Sequence, residues 1–289
     1  MNSLNNKAWA GKTDGTPWMH RTLIALLKGI DVRVFYAIMA IIVPFYMIFN
    51  RKGYRSTKSF FQKRGEVGIR CLLHIYLNHF RFGQIIIDRF AVYAGKHFDF
   101  ESDGKDNIDN KMELPQGFIM MSSHVGNWEL VGCMLNSKYK KINLLVYGGE
   151  KSAITENRNR LLGNHNMELV SVSDDMSHIF KMNAAIDNGE VVNIAADRLF
   201  GSPKHIDCPF LGATAPFPMG PFAFATQKKV DAFAVFMMKT SAKKYKLIVR
   251  PLAAGDACVI ANAYARELES IVNEYPYQWF NYFDFWHQS

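Results

Sequence analysis

The chain has 289 residues, enough for one large domain or two small ones with a sizeable buried core. Hydrophobic residues make up 49% and charged residues 21%, a composition that excludes an intrinsically disordered chain. The net charge of +8 favours partners that carry negative charge, namely nucleic acid, anionic lipid or an acidic protein. Neither a zinc-finger spacing nor a stacking-platform motif is present, so we expect no nucleic-acid partner.

The cysteines bear on metal binding and redox state. Cys71, Cys133, Cys208 and Cys258 lie far apart and form no Cys-x-x-Cys pair. This spacing argues against a zinc site and against a disulfide scaffold, and it favours reduced thiols in a cytosolic compartment. We therefore expect no zinc site, and nothing else in the sequence implies a metal or a redox cofactor.

An uncharged apolar stretch near the N-terminus covers Val34–Phe49, between Arg33 and the pair Arg51-Lys52. As a helix it would be about 24 Å long, shorter than the ~30 Å hydrocarbon core of a bilayer. Pro44 would also bend such a helix. The length fits two interpretations equally well: an interfacial or partly inserted membrane anchor, or a buried core helix.

Downstream, the pattern changes from helical to alternating strand and helix. Apolar residues recur at helical intervals over residues 53–95. Beyond them, six short apolar runs bounded by Gly, Pro, Asn and Asp are the candidate strands: Phe118–Met121, Asn143–Tyr147, Glu168–Val172, Val191–Ala196, Ala232–Met238 and Tyr245–Val249. We predict an α/β fold, with a mostly parallel central sheet covered by helices. Residues 53–289 would form this domain, preceded by a helical membrane-associated segment within residues 1–52.

The stretch Phe118–Cys133 contains the strongest candidate site. His124 follows a buried strand, at the carboxyl end where open α/β sheets bind ligands. Glu129 lies five residues further on, so the two side chains can meet only if the backbone turns between them, as Gly126 permits. A carboxylate bonded to one imidazole nitrogen makes the other a better base, so this pair could deprotonate an alcohol. A His and a Glu at this spacing also occur together by chance.

The residues His124-Val-Gly-Asn-Trp-Glu129 resemble the H-x4-D/E motif of the lysophospholipid acyltransferase superfamily. More narrowly, they are similar to the H-x4-E form of the bacterial lipid A late acyltransferases. Further similarities follow in the order that this family has them: Ala196–Arg198, Pro209–Gly212, Phe217–Pro221 and Tyr275–Phe280. The resemblance extends from about Trp9 to Trp286 and implies an acyltransferase.

The resemblance also implies roles for particular residues. His124 corresponds to the general base of the family, and Glu129 corresponds to its orienting carboxylate. The arginine that contacts an anionic group in the family falls at Arg158 or Arg160, of which Arg160 is the preferred candidate. A surface position is the alternative for either arginine.

Two departures from the family pattern leave the acceptor open. Asp197 and Arg198 are predicted to contact the substrate. The family often has Asp-Gln at these positions, and an arginine would suit a phosphate. Family members often end with a basic pair, whereas this chain continues with Asn281–Trp286. We expect the aromatic residues of this C-terminal end to pack in the core and to help close the site.

By resemblance, the reaction transfers a fatty acyl group from an acyl thioester, preferably on acyl carrier protein, to a hydroxyl of lipid A or a related lipid. His124 would take the proton of the acceptor. Backbone amides near Gly126 are candidates for the donors that stabilise the oxyanion, but the sequence does not place these donors. The basic residues on both sides of Val34–Phe49 favour the anionic cytoplasmic leaflet, so we expect the protein at the cytoplasmic (inner) membrane, with the catalytic domain on the cytoplasmic face. An aminolipid, another glycolipid or a pigment is an alternative acceptor. An inactive membrane-associated lipid-binding protein is the alternative outside the enzymes.

Overall fold

A computed structural model describes residues 16–131, 139–147, 166–173, 175–199 and 203–288. In this part of the chain the helices are α1 (Pro17–Gly29), α2 (Val32–Phe49), α3 (Arg51–Lys63), α4 (Gly68–Tyr93), α5 (Asp106–Met112), α6 (Ser177–Asp187), α7 (Met219–Lys228) and α8 (Ala257–Glu274). The strands are β1 (Asp99–Asp103), β2 (Phe118–Ser122), β3 (Ile142–Tyr147), β4 (Met167–Val172), β5 (Val191–Ala195), β6 (His205–Phe210), β7 (Ala213–Pro218), β8 (Ala232–Ser241) and β9 (Lys244–Pro251).

Seven strands form the central sheet in the order β1-β9-β8-β2-β5-β3-β4. Neighbouring strands are parallel except β8 and β9, which are antiparallel. β6 and β7 form a separate antiparallel hairpin. The predicted α/β fold with a mostly parallel sheet is confirmed, and each of the six predicted strands is present.

Three strands were not predicted, for two different physical reasons. β1 lies at the edge of the sheet and is mostly polar, with the sequence Asp-Phe-Glu-Ser-Asp, so it lacks the apolar run of a buried strand. The β6–β7 hairpin closes between Phe210 and Ala213 through Leu211 and Gly212, whose φ angles are 52° and 76°. Positive φ at both central residues is the geometry of a tight two-residue hairpin turn. An apolar Leu in this position conceals the turn in the sequence.

The apolar core lies on both faces of the sheet, because successive strand residues point to opposite sides. In β2, Ile119 and Met121 join the cluster packed by α3, α7, α8 and the C-terminal aromatic residues. Phe118 and Met120 join the other cluster, with side chains of α1, α2, α4 and α5. β2 is therefore fully buried in the middle of the sheet, between β5 and β8. The residues that follow β2 lie at the carboxyl end of these central strands.

α2 is apolar on both the protein-facing and the exposed side. It packs against α4 through its buried residues Val32, Tyr36, Val43 and Met47. On the other side Ile41 is 70% exposed, Phe45 60% and Phe49 82%. Among the described residues, α2 is the one helix long and apolar enough to cross a membrane, and 22% of it is buried. It is therefore not enclosed as a core helix would be, and its insertion into a membrane stays a prediction, as does the domain boundary near residue 52.

Candidate active site

The turn after β2 carries His124 and is attached to two other parts of the chain. The backbone N–H of Gly126 donates to the carbonyl of Gln278 at 2.9 Å. The N–H of Asn127 donates to the carbonyl of Met237 in β8 at 2.7 Å. These bonds connect the turn to the sheet on one side and to the C-terminal segment on the other. They restrain the backbone conformation around His124.

Gly126 is required by this path. Its φ is +60°, in the left-handed region that L side chains rarely adopt. A Cβ at this position would lie 2.1 Å from the carbonyl oxygen of Met237 and 2.9 Å from the sulfur of Met238. The glycine therefore allows the turn to approach β8 closely. The sequence predicted the turn but not this approach.

His124 and Asp197 meet at the carboxyl edge of the sheet. β2 and β5 are parallel neighbours, and Ser122 is paired with Ala195 at their ends. Two residues beyond this pair, the Nδ1 atom of His124 lies 2.8 Å from Oδ1 of Asp197. The backbone N–H of His124 donates to Oδ2 of the same carboxylate, also at 2.8 Å.

This double contact determines the protonation pattern of the imidazole. An ionised carboxylate only accepts hydrogen bonds, so Nδ1 of His124 must carry a proton to bond Asp197. The lone pair of the neutral ring then lies on Nε2, which is the atom able to accept a proton from a substrate. The ring also packs against Trp128, with the two ring centroids 5.0 Å apart.

The electrostatics favour a neutral imidazole beside an ionised carboxylate. Burial lowers the pKa of His124 below its usual value, the charge of Arg198 lowers it further, and Asp197 opposes both. Burial alone would raise the pKa of Asp197, but His124 and Arg198 outweigh it and bring the pKa below its usual value. At neutral pH the pair is therefore in the state that a general base requires.

Glu129 has a different partner from the one that the sequence predicted. Arg89 of α4 donates to Oε1 of Glu129 at 2.6 Å, and the hydroxyl of Tyr93 lies 3.4 Å from Oε2. The chain does turn between His124 and Glu129, at Gly126, and Glu129 lies in a short 3-10 helix over Trp128–Leu130. The carboxylate bonded to Nδ1 of His124 is nevertheless Asp197, so the predicted orienting contact from Glu129 is corrected.

Arg198 lies next to the pair, and its guanidinium faces the C-terminal segment. It donates to the carbonyl of Phe280 at 3.1 Å, and its Cζ atom lies 5.1 Å from the ring centroid of Phe283. Burial lowers the pKa of Arg198 to about 10, with Asp197 opposing, so the side chain is cationic at neutral pH. The other two predicted arginines, Arg158 and Arg160, lie outside the described residues.

Comparison with a family model identifies the family of this chain. The family model described as bacterial lipid A biosynthesis acyltransferase matches residues 87–287, which is more than half of the chain. The chain belongs to this family. The match includes His124, Glu129 and Asp197, and it begins within α4, just before Arg89.

The chain was also compared with curated proteins and with solved structures. A search of curated proteins finds no significant match. The chain is similar to a solved structure, that of the 1-acyl-sn-glycerophosphate (LPA) acyltransferase PlsC from Thermotoga maritima, with 13% identity and a TM-score of 0.37. The similarity covers 90% of this chain and 99% of that one.

In this member of the lipid A acyltransferase family, the backbone amides considered as oxyanion donors are hydrogen-bonded to other groups of the protein. The N–H groups of Gly126 and Asn127 already donate to the carbonyls of Gln278 and Met237. A backbone amide that bonds a carbonyl of the fold cannot at the same time be directed at a substrate oxygen. These two amides are therefore not available as oxyanion donors in this structure.

A buried polar cluster supports the turn of this acyltransferase from behind, and the sequence did not reveal it. Asp88 of α4 accepts hydrogen bonds from Tyr36, Tyr245 and the ammonium of Lys239. The side chain of Asn127 donates to the hydroxyl of Tyr245 at 3.3 Å, which connects the cluster to the turn. The side chains of Asp88 and Lys239 are fully buried.

The residues around the acyltransferase site that sequence reasoning missed come from distant parts of the chain. Gln278 bonds the backbone N–H and carbonyl of Lys239 through its side chain, and the hydroxyl of Tyr264 donates to the carbonyl of Ser122 at 2.8 Å. Arg89 lies in an amphipathic helix, where an arginine is ordinarily a surface residue. Asp88 could have been noticed in the sequence as a charged residue on the apolar face of a helix. That pattern does not show which residues it would bond.

Proposed function

We propose that this acyltransferase moves a fatty acyl group from acyl carrier protein to a hydroxyl of lipid A or a related lipid acceptor. The observation that carries the proposal is the 2.8 Å contact between His124 Nδ1 and Asp197 Oδ1 at the carboxyl edge of the sheet. Membership of the family supports the acyl transfer itself. The identities of donor and acceptor rest on the resemblance and on the charge of the protein.

In the proposed reaction, Nε2 of His124 takes the proton of the acceptor hydroxyl while the oxygen attacks the thioester carbonyl. The tetrahedral intermediate then collapses, the C–S bond breaks, and the imidazolium returns its proton to the leaving thiolate. Asp197 stabilises the imidazolium without taking the proton. The acceptor attacks the thioester directly, so the protein needs no nucleophile of its own.

The other predicted site residues have supporting roles in this proposal. Glu129 fixes the turn through its ion pair with Arg89, and it remains part of the proposed catalytic site. Arg198 and either Arg158 or Arg160 contact an anionic group of the substrate, such as a phosphate of the lipid or of the carrier's prosthetic arm. The planar guanidinium suits bidentate contact with phosphate.

We place the protein at the cytoplasmic (inner) membrane, with the catalytic domain on the cytoplasmic face. The exposed apolar side of α2 would enter the lipid, and the net charge of +8 would attract both anionic headgroups and an acidic carrier protein. Both substrates would then be concentrated at the surface where the His124 site lies.

The test is transfer of a labelled acyl group from purified acyl carrier protein to a lipid A precursor by the full-length protein in mixed micelles. The wild type should form acylated lipid, and His124→Ala should form none above background. Lipid mass spectrometry of cells with and without the gene identifies the natural acceptor. Transfer at near wild-type rates by His124→Ala would refute the mechanism, and an acylated aminolipid or pigment would replace the acceptor.

A further inference from the structure

A groove of about 840 Å³ lies between α2, α3 and α4, on the face that carries the exposed side of α2. Ile48 of α2 and Leu72 and Leu73 of α4 line it, and they are 65%, 43% and 52% exposed. The volume is within the roughly 300–1,000 Å³ of sites that bind small ligands. None of the residues in the turn around His124 lines this groove.

Three cations of α3 line the same groove: Arg51, Arg55 and Lys58. Their spacing of four and three residues places them on one face of the helix. All three are exposed, and none has an ion-pair or hydrogen-bond partner among the residues that the structure describes. The groove therefore combines apolar walls with a row of positive charge.

This combination matches an anionic amphiphile. Apolar walls remove an acyl chain from water, and basic side chains beside them can bond a phosphate. The exposed apolar side chains of α2 continue from the groove, so a lipid bound there would remain part of the surrounding bilayer. Because these exposed side chains of α2 are themselves apolar, the surroundings of the groove favour a lipid over an acidic protein as the occupant.

We propose that this groove, formed by α2, α3 and α4, binds one anionic phospholipid of the membrane. An acyl chain occupies the apolar part beside Leu72 and Leu73, and the phosphate diester is bonded by Arg51, Arg55 and Lys58. The bound lipid is a docking ligand and not a substrate, because the groove is separate from the His124 turn. It would make association with the membrane depend on anionic lipid.

Binding of the full-length protein to vesicles tests this directly and needs no acyl transfer. Partition is measured by flotation with phosphatidylcholine vesicles, and with vesicles that also contain phosphatidylglycerol. Each basic residue at an anionic surface contributes about a fivefold gain in partition. The variant Arg51→Gln, Arg55→Gln, Lys58→Gln should lose roughly 100-fold in partition to the phosphatidylglycerol vesicles and little to the neutral ones.

The matched control removes the same charge elsewhere: Lys181→Gln, Lys229→Gln, Arg266→Gln, at exposed positions outside the groove. This control should bind within about fivefold of the wild type, because distant charges are screened. The variant Arg51→Lys, Arg55→Lys keeps the charge and should bind as the wild type does. Native mass spectrometry of the detergent-solubilised protein should show one retained phosphatidylglycerol, absent from the triple glutamine variant of the groove.

Several outcomes would overturn the proposal. Equal losses of vesicle binding in the groove variant and in the control would show that binding depends on the overall positive charge and not on a specific lipid site. Loss of binding by the charge-preserving lysine variant would contradict the role of charge. Normal vesicle binding by the groove variant, with weaker binding of acyl carrier protein, would assign the groove to the carrier. The proposed acyl transfer is untouched by all these results, since thioester hydrolysis by each variant is measured separately.

Discussion

His124 and Asp197 are hydrogen-bonded at 2.8 Å although 73 residues separate them in the chain. They meet because β2 and β5 are parallel neighbours and each residue lies two positions beyond a paired strand end. In this family the motif that contains His124 also contains Glu129, yet the motif's own carboxylate is bonded by Arg89.

Asp197→Asn should lower kcat by roughly 10⁴-fold, the loss seen when the carboxylate of a catalytic triad is neutralised. The amide cannot both accept the Nδ1 proton and stabilise the imidazolium. Glu129→Gln should cost less, about 10- to 100-fold, because it weakens one charged hydrogen bond to Arg89. Single-turnover acyl transfer by both variants gives the comparison. A larger loss of kcat in Glu129→Gln than in Asp197→Asn would mean that Glu129, and not Asp197, orients His124.

The pH dependence follows from the lowered pKa of His124. Its neutral form is active, so kcat/KM should fall as the pH drops through a pKa below the usual 6.5. Asp197 raises this pKa, so Asp197→Asn should move the acid limb to still lower pH as well as lowering the plateau. Rates from pH 4.5 to 8 measure both effects. An acid limb above 6.5 in the wild type would contradict the buried, neutral imidazole.

Gly126→Ala should abolish activity and destabilise the fold. The new Cβ would meet the carbonyl of Met237 at 2.1 Å, and the turn that carries His124 would have to move. Gly212→Ala is the control, because Gly212 also has positive φ but nothing lies within 4 Å of its added Cβ. That variant should lose only the roughly 1–2 kcal/mol cost of the backbone conformation and stay active. If the two variants lost activity and stability equally, the contact between the new Cβ and the carbonyl of Met237 would not be the cause.

The ion pair between Asp88 and Lys239 should matter for stability through its burial. Lys239→Ala leaves the Asp88 carboxylate without its cation in a dry site, and we expect a loss of about 3–5 kcal/mol in the free energy of unfolding. Replacing both partners, as Asp88→Leu with Lys239→Met, should cost less than the single change. Urea unfolding of the three proteins measures this. A double variant less stable than Lys239→Ala would mean that the cluster itself specifies the fold.

The exposed side of α2 should control the distribution between membrane and soluble fractions. Ile41→Ser, Phe45→Ser, Phe49→Ser removes three exposed apolar side chains, each worth roughly 1.5–3 kcal/mol when fully transferred from water. The variant should move to the soluble fraction after a high-salt wash, while the wild type should need detergent. Phe180→Ser, at another exposed aromatic residue, is the control and should leave the distribution unchanged. A wild type that is soluble at physiological salt would contradict the anchor.

Much of this protein follows from patterns local in the sequence. The six predicted strands are mostly apolar runs between turn residues, and their alternation with helices is enough to predict a parallel sheet. Gly126 is predictable too, because a histidine in a turn after a buried strand requires a backbone that reverses sharply. The motif around His124 also identifies the chemistry, since its residue types and spacing are those of the family.

The tertiary structure alone decided which groups touch His124. Asp197 stands in the sequence at the end of a strand, as His124 does, but the order of strands in a sheet is not encoded by periodicity. Only the adjacency of β2 and β5 makes Asp197 the partner, and only the position of α4 gives Glu129 to Arg89. The sequence thus determined six of the nine described strands and the family, whereas long-range packing determined the pairing of charges, because that pairing depends on contacts between residues far apart in the chain.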